Sequence, residues 1–168
     1  MIVCILDVVK KIQSDNMTVN VHPESISDPT FVEWLCKKTK KNNIDARKII
    51  LEITEDAPFS SELLVKSNLK ALKSFGFRVA LDDFGCEYSN LERYIQISPY
   101  IDYLKINDKI YTDVDVYDRI VQAISNLIPK NAIIAECIED EATAAFLSAS
   151  GVIMQQGYYY HKPEKLGI

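Results

Sequence analysis

Two adjacent carboxylates, Asp82 and Asp83, close an apolar run and are followed at once by Phe84 and Gly85. Side chains alternate sides along a strand, so neighbouring acids can serve one site only where the backbone leaves the regular strand. Such a pair also repels unless a cation neutralises it. The plain alternative is an aspartate pair capping a loop. LEITE contributes Glu52 and Glu55, and Glu52 lies among Ile49, Ile50, Leu51 and Ile53, where a lone charge is costly. It needs a basic partner or a metal. Lys105 in YLKIN raises the same question with the opposite sign, and pairing of the two with each other is one answer. Asn20 in VNV and Gln156 in QQGY are neutral polar groups inside apolar strands, readable as hydrogen-bonded core residues or as ligands. Glu136 and Glu139 in AECIE end another apolar segment. Glu139 also reads as an acid opening the next helix, where the dipole favours it.

Taken together, these residues read as a divalent-metal site. Oxygen ligands from Asp, Glu and Asn suit Mg²⁺ or Mn²⁺. Two such ions can hold a phosphodiester, activate water and stabilise the leaving oxygen. No GxxxxGK[ST], HExxH or GxSxG motif occurs, which argues against P-loop hydrolysis, zincin proteolysis and α/β-hydrolase chemistry. The net charge of −5 argues against nucleic-acid polymer as a partner, since that needs a cationic surface. Cys4, Cys36, Cys86 and Cys137 form no CxxC pair and read as free thiols in a reducing cytoplasm.

The elements that must position these groups alternate. Val- and Ile-rich strands are expected at MTVNV, KIILEIT, RVALDD, DYLKIN, AIIAE and VIMQQ, apolar on both faces as buried parallel strands are. A first amphipathic helix is expected with Ile2, Ile5, Val8, Val9 and Ile12 on one face. It lacks the charge order of a signal peptide, and no apolar run is long enough for membrane insertion by this segment. Asp28-Pro29 should open a helix lined by Phe31, Trp34 and Leu35. Ser60 should cap another, lined by Leu64, Leu69, Leu72 and Phe75 and ended by Gly76. Further helices are expected over Ser89–Ile97, Tyr111–Leu127 and Glu139–Ala149. This is a parallel α/β fold with right-handed crossovers. Asn20, Glu52, Asp82, Asp83, Lys105, Glu136 and Gln156 each fall in or after the C-terminal half of a strand. A ring of such residues, from many strands, suits a (β/α) barrel better than an open sheet.

The order VNVHPESISDPTF, LEITE, LKALKSFGFRVALDDFG, YSNL, YLKIN, AECIE and QQGYYYHKP resembles the EAL domain of cyclic di-GMP phosphodiesterases, from about Met17 to Pro163, and the first helix fits by analogy. The resemblance implies a TIM-like barrel that hydrolyses one phosphodiester of cyclic di-GMP to give pGpG by metal-activated water, without a covalent intermediate. It implies that Asn20, Glu52, Asp82, Asp83 and Glu136 belong to the metal set, with Mg²⁺ or Mn²⁺ as cofactor. Lys105 would position the attacking water, Glu55 would anchor the loop after Asp83, and Glu139 and Gln156 would complete the metal and ligand environment.

The resemblance also marks departures. Barrels of this kind have eight strands, and six are found, so residues 1–168 are expected to form a single EAL-like domain lacking its first two strands. The Glu-Ala-Leu segment, with its metal-binding Glu and nearby Arg, has no counterpart here. Cys86 and Glu87 stand where the family has Thr and Gly, Asn107 where it has Asp, and Cys137 where it has Gly. The isolated chain is therefore expected to be inactive or weak, and either to self-associate through exposed sheet edges, a homodimer being one form, or to have a mobile N-terminal region. The alternative is a degenerate module that binds nucleotide or a protein partner without turnover.

Overall fold

A computed structural model of the chain describes residues 16–54, 57–85, 90–111 and 114–164. The first amphipathic helix, Glu55, Cys86 and Glu87 lie outside them. The chain forms two compact units. The first runs to Leu81 and takes in Glu92–Asp102; the second comprises Asp82–Leu91 and the residues from Tyr103 onward.

The first unit is built on strands β1 (Met17–Val21), β2 (Ile49–Ile53) and β3 (Arg78–Leu81). They pair in parallel and in chain order, with Asn20 opposite Glu52 and Glu52 opposite Ala80. All five residues of β2 are buried, which explains its unbroken apolar reading apart from Glu52. A short helix α1 (Pro23–Ile26) follows β1, and α2 (Pro29–Lys41) begins where Asp28 accepts the backbone N–H of Thr30 at 2.8 Å. Helix α3 (Glu62–Phe75) is capped by Ser61, one residue beyond the expected Ser60, and ends at Gly76 with φ of +116°.

Two helix faces differ from expectation. In α2 the buried residues are Val32, Leu35 and Thr39, while Phe31 and Trp34 are half-buried and stack on each other. In α3 Val65, Asn68, Leu69 and Leu72 are buried, and Leu64 and Phe75 face outward. The stripe is turned because Asn68 is drawn inside, where its amide donates to the Ile26 carbonyl at 2.8 Å. That partner satisfies a polar group that would otherwise be costly to bury.

The second unit carries strands β4 (Tyr103–Ile106), β5 (Ile133–Ala135) and β6 (Met154–Gln155), again parallel and in chain order. Helix α4 (Asn90–Ile97) precedes β4, with its residues from Glu92 on belonging to the first unit. Helix α5 (Val114–Ser125) is shorter than the expected span, because Asp108–Ile110 forms a separate 3₁₀ turn and Tyr111 closes it. Helix α6 (Glu141–Ala149) is capped by Asp140, so Glu139 stands before the helix, not in its first turn. Leu104, Ile106, Ile133, Ala135, Tyr117, Ile138 and Leu147 form the unit's core. No described helix is long and apolar enough to cross a membrane.

Candidate functional site

In the first unit the polar residues Asn20 and Glu52 are register partners. Partners in a parallel pair share a face, so both side chains alternate with Val19, Val21, Leu51 and Ile53. Glu52 is buried and Asn20 is exposed.

The second unit gathers most of the remaining set. β3 stops at Leu81, and the chain then breaks from strand geometry, with Asp83 at φ of +47° and Gly85 at +89°. This turn is the departure that two adjacent acids require to serve one site. The backbone N–H of Asp83 donates to Asp82 Oδ1 at 3.2 Å, and the N–H of Phe84 donates to the Lys105 carbonyl at 2.8 Å. Lys105 is 3% exposed. Its Nζ lies 2.8 Å from Asp82 Oδ1 and 2.8 Å from Glu136 Oε1. Gln156 donates from Nε2 to the same Glu136 oxygen at 2.5 Å. The backbone holds these side chains in place, since the N–H groups of Glu136 and Gln156 bond the carbonyls of Ile106 and Ala135 at 3.0 and 2.8 Å.

Three neighbours extend the cluster beyond the residues expected to act. Asn107 accepts the Lys109 N–H on Oδ1 and donates from Nδ2 to Asp83 Oδ1 at 3.1 Å, a donation that an aspartate there could not make. The Tyr111 hydroxyl donates to the backbone carbonyl of Glu136. Cys137 has φ of +58°, a left-handed conformation unusual for a non-glycine residue. Asn107 and Cys137 were visible in the sequence as departures, whereas Tyr111 gave no signal. Across from this turn the chain approaches closely, because a Cβ at Gly157 would lie 2.2 Å from both the N and the O of Ile138. The Ile138 N–H bonds the Gln156 carbonyl at 3.1 Å, and its carbonyl accepts from Tyr159 at 2.9 Å. Glycine at 157 thus lets residues 156–159 lie against residues 136–138.

Glu139 is exposed and lines two cavities of the second unit. One, of about 510 Å³, is bordered by Asp108, Tyr111, Cys137, Thr143 and Phe146. The other, of about 390 Å³, is bordered by Glu136, Cys137, Gln156, Tyr158 and His161. The field here is negative. Burial first, and then the charges of Cys137, Asp108, Glu136 and Glu139, push the Tyr111 phenol above its ordinary range. The Cys137 thiol is pushed up by burial and then by Asp108, Glu136, Asp83 and Glu139.

Among the described residues, no three His, Cys, Asp or Glu side chains converge into a cation cage as they stand. Asp82 and Glu136 instead hold the Lys105 ammonium. The donor chemistry still fits a hard cation: carboxylate oxygens of Asp82 and Glu136 already bind a positive charge, and Asp83 follows Asp82 in the same turn. Cys36 and Cys137 are free thiols; Cys4 and Cys86 lie outside the described residues.

Comparison with known proteins places this parallel α/β frame in a family. The EAL domain model matches residues 4–163, and the chain belongs to that family. The probable cyclic di-GMP phosphodiesterase PdeI of Escherichia coli is 34% identical over 148 residues, covering 86% of this chain and 19% of that relative. The chain spans only about a fifth of that protein's length. A solved "PaMucR Phosphodiesterase, c-di-GMP complex" superposes with a TM-score of 0.78 at 25% identity, covering 95% of this chain and 75% of that one. A Klebsiella pneumoniae BlrP1 complex with manganese and cyclic di-GMP gives a TM-score of 0.75 at 23% identity over 91% of this chain and 40% of its own. The fold is that of the TIM-like EAL barrels.

Proposed function

We propose that this chain is part of a hydrolase that cleaves one phosphodiester of cyclic di-GMP to give linear pGpG. The carrying observation is the buried Lys105 ammonium held between Asp82 and Glu136. It is a cation site at strand ends in a chain of the EAL family. On this reading Asn20, Glu52, Asp82, Asp83 and Glu136 hold Mg²⁺ or Mn²⁺, ions that oxygen donors of this kind suit. A divalent ion, when bound, supplies charge that stabilises the phosphodiester's transition state and acidifies water.

The protein's own groups then have separate tasks. Lys105 fixes the carboxylates of Asp82 and Glu136 and orients the water that attacks. Asn107 restrains Asp83, and Gln156 restrains Glu136. Glu139 borders the cavities that receive the dinucleotide. The chain acts as one domain, self-associates, and works in the cytoplasm, where its thiols stay reduced. No Glu-Ala-Leu stretch occurs in these 168 residues, so turnover by the chain alone is expected to be weak.

A second reading, ligand binding without turnover, is favoured by the commitment of Asp82 and Glu136 to Lys105. The two are separated by following pGpG formation with Mn²⁺ while titrating cyclic di-GMP. The hydrolase reading expects slow product formation that Glu52→Gln lowers more than a hundredfold, a loss of about 3 kcal/mol of transition-state stabilisation. Cyclic di-GMP binding with no pGpG at all would leave the binding module standing in its place.

A further inference from the structure

The carbonyl of Glu136 lies just past the end of β5, which closes at Ala135. Its own N–H still bonds the Ile106 carbonyl across to β4, but the next residue, Cys137, turns left-handed and leaves the ladder. A carbonyl at such a point needs another donor when water is kept from it. The donor is the hydroxyl of Tyr111, 25 residues earlier in the chain. Tyr111 is 6% exposed, and it sits immediately after the 3₁₀ turn Asp108–Ile110 that follows β4.

The side chain of Glu136 is meanwhile held on its other side by Lys105 and Gln156. Rotation about the bonds of residue 136 is thus restrained from both ends, by two side-chain contacts and by two on the backbone, at its N–H and at its carbonyl. We infer that Tyr111 is a positioning residue for Glu136, and that its hydroxyl sets where this carboxylate points. The inference rests on the reading of Glu136 as a metal ligand, and it adds to that reading a residue far from Glu136 in sequence.

Groups that orient a ligand without touching the metal commonly change metal affinity by about tenfold to a hundredfold when removed. The test is Mn²⁺ titration of the chain, followed by calorimetry or by the electron paramagnetic resonance of the free ion. The chain is compared with Tyr111→Phe and Glu136→Gln, and each protein's thermal midpoint is recorded. Tyr111→Phe should weaken Mn²⁺ binding about tenfold while the protein stays folded at the titration temperature. A merely structural tyrosine would lower the midpoint and leave the affinity of the folded protein unchanged, which overturns the inference. Equal binding by the chain and Glu136→Gln would instead sink the metal reading, and the inference with it.

Should Tyr111→Phe fail to fold, the unaltered chain labelled with ¹³C at glutamate carbonyls decides the question. The inference expects the Glu136 carbonyl signal at the downfield position of a hydrogen-bonded group, unmoved by exchange into deuterated solvent beyond the isotope shift. A signal at the position of a freely hydrated carbonyl overturns it.

Discussion

Lys73 in the first unit and Lys105 in the second each meet carboxylates, at opposite ends of the strands. Lys73, in the last turn of α3, binds both oxygens of Asp102, which stands just before β4. Asp102 also accepts the N–H of Val79 at 2.7 Å. One positive charge meets one negative charge, both side chains remain under a third exposed, and the acid's remaining capacity goes to the backbone. Lys105 is almost wholly buried and meets two carboxylates, with Asp83 beside them. That cluster carries more negative charge than its lysine can balance. A balanced pair at the N-terminal edge of a strand reads as stability, and an unbalanced one at the C-terminal edge reads as chemistry. The excess is the physical mark of a place that takes up something positive.

The sharpest way to break the comparison is to remove each lysine. Lys105→Met leaves two carboxylates close together without their shared cation. Breaking a buried pair from one side typically costs about 3–5 kcal/mol, measurable by urea denaturation. Mn²⁺ should return part of that loss, because an ion can replace the missing charge. If Lys105→Met costs less than 1 kcal/mol and Mn²⁺ returns nothing, the cluster is not a frustrated acid site.

Asp102→Ala sits lower on the scale. It frees the Val79 N–H and one partly exposed ammonium, a loss of about 1–2 kcal/mol. Mn²⁺ binding should not change, since the contacts of this pair are made with Val79 and not with the residues of the candidate site. A weakened Mn²⁺ affinity in Asp102→Ala would erase the distinction between the two lysines.

The two ends of the strands were also unequally legible in the sequence. The strands themselves could be read because burial on both faces forces unbroken runs such as IILEI. The polar residues interrupting them stood out for the same reason, and Lys105, Asp82, Glu136 and Gln156 are indeed drawn together. Helix faces were less legible. A stripe of Leu and Phe fixes a face only to within a residue or so, and the burial of Asn68 against the Ile26 carbonyl cannot be seen in a pattern of apolar residues. The Tyr111 contact with Glu136 was invisible because it joins a turn to a strand end 25 residues away. Composition and periodicity report what a residue is, and this contact depends only on where it is.

The smallest expected effect separates the two regions by backbone strain. Among the described residues, the first unit has one non-glycine residue in the left-handed region, Asn43, at φ of +55°. It lies just past the end of α2, where its N–H bonds the Lys40 carbonyl at 3.1 Å and the next N–H bonds the Thr39 carbonyl at 3.1 Å. Asparagine tolerates this conformation and is a usual helix-ending residue, so Asn43→Gly should change stability by only a few tenths of a kcal/mol. The second unit has Asp83 and Cys137 there, at +47° and +58°, both within the candidate site. Cysteine has no such tolerance, and the left-handed conformation costs an ordinary residue about 1–2 kcal/mol. Cys137→Gly removes that cost but gives back about 0.5–1 kcal/mol through glycine's greater freedom when unfolded. The net expectation is a gain of up to about 1 kcal/mol, seen as a raised thermal midpoint, with Mn²⁺ binding kept. If Cys137→Gly instead loses stability while Asn43→Gly does not, the thiol stabilises the turn through its packing, and the turn at Cys137 stores no strain.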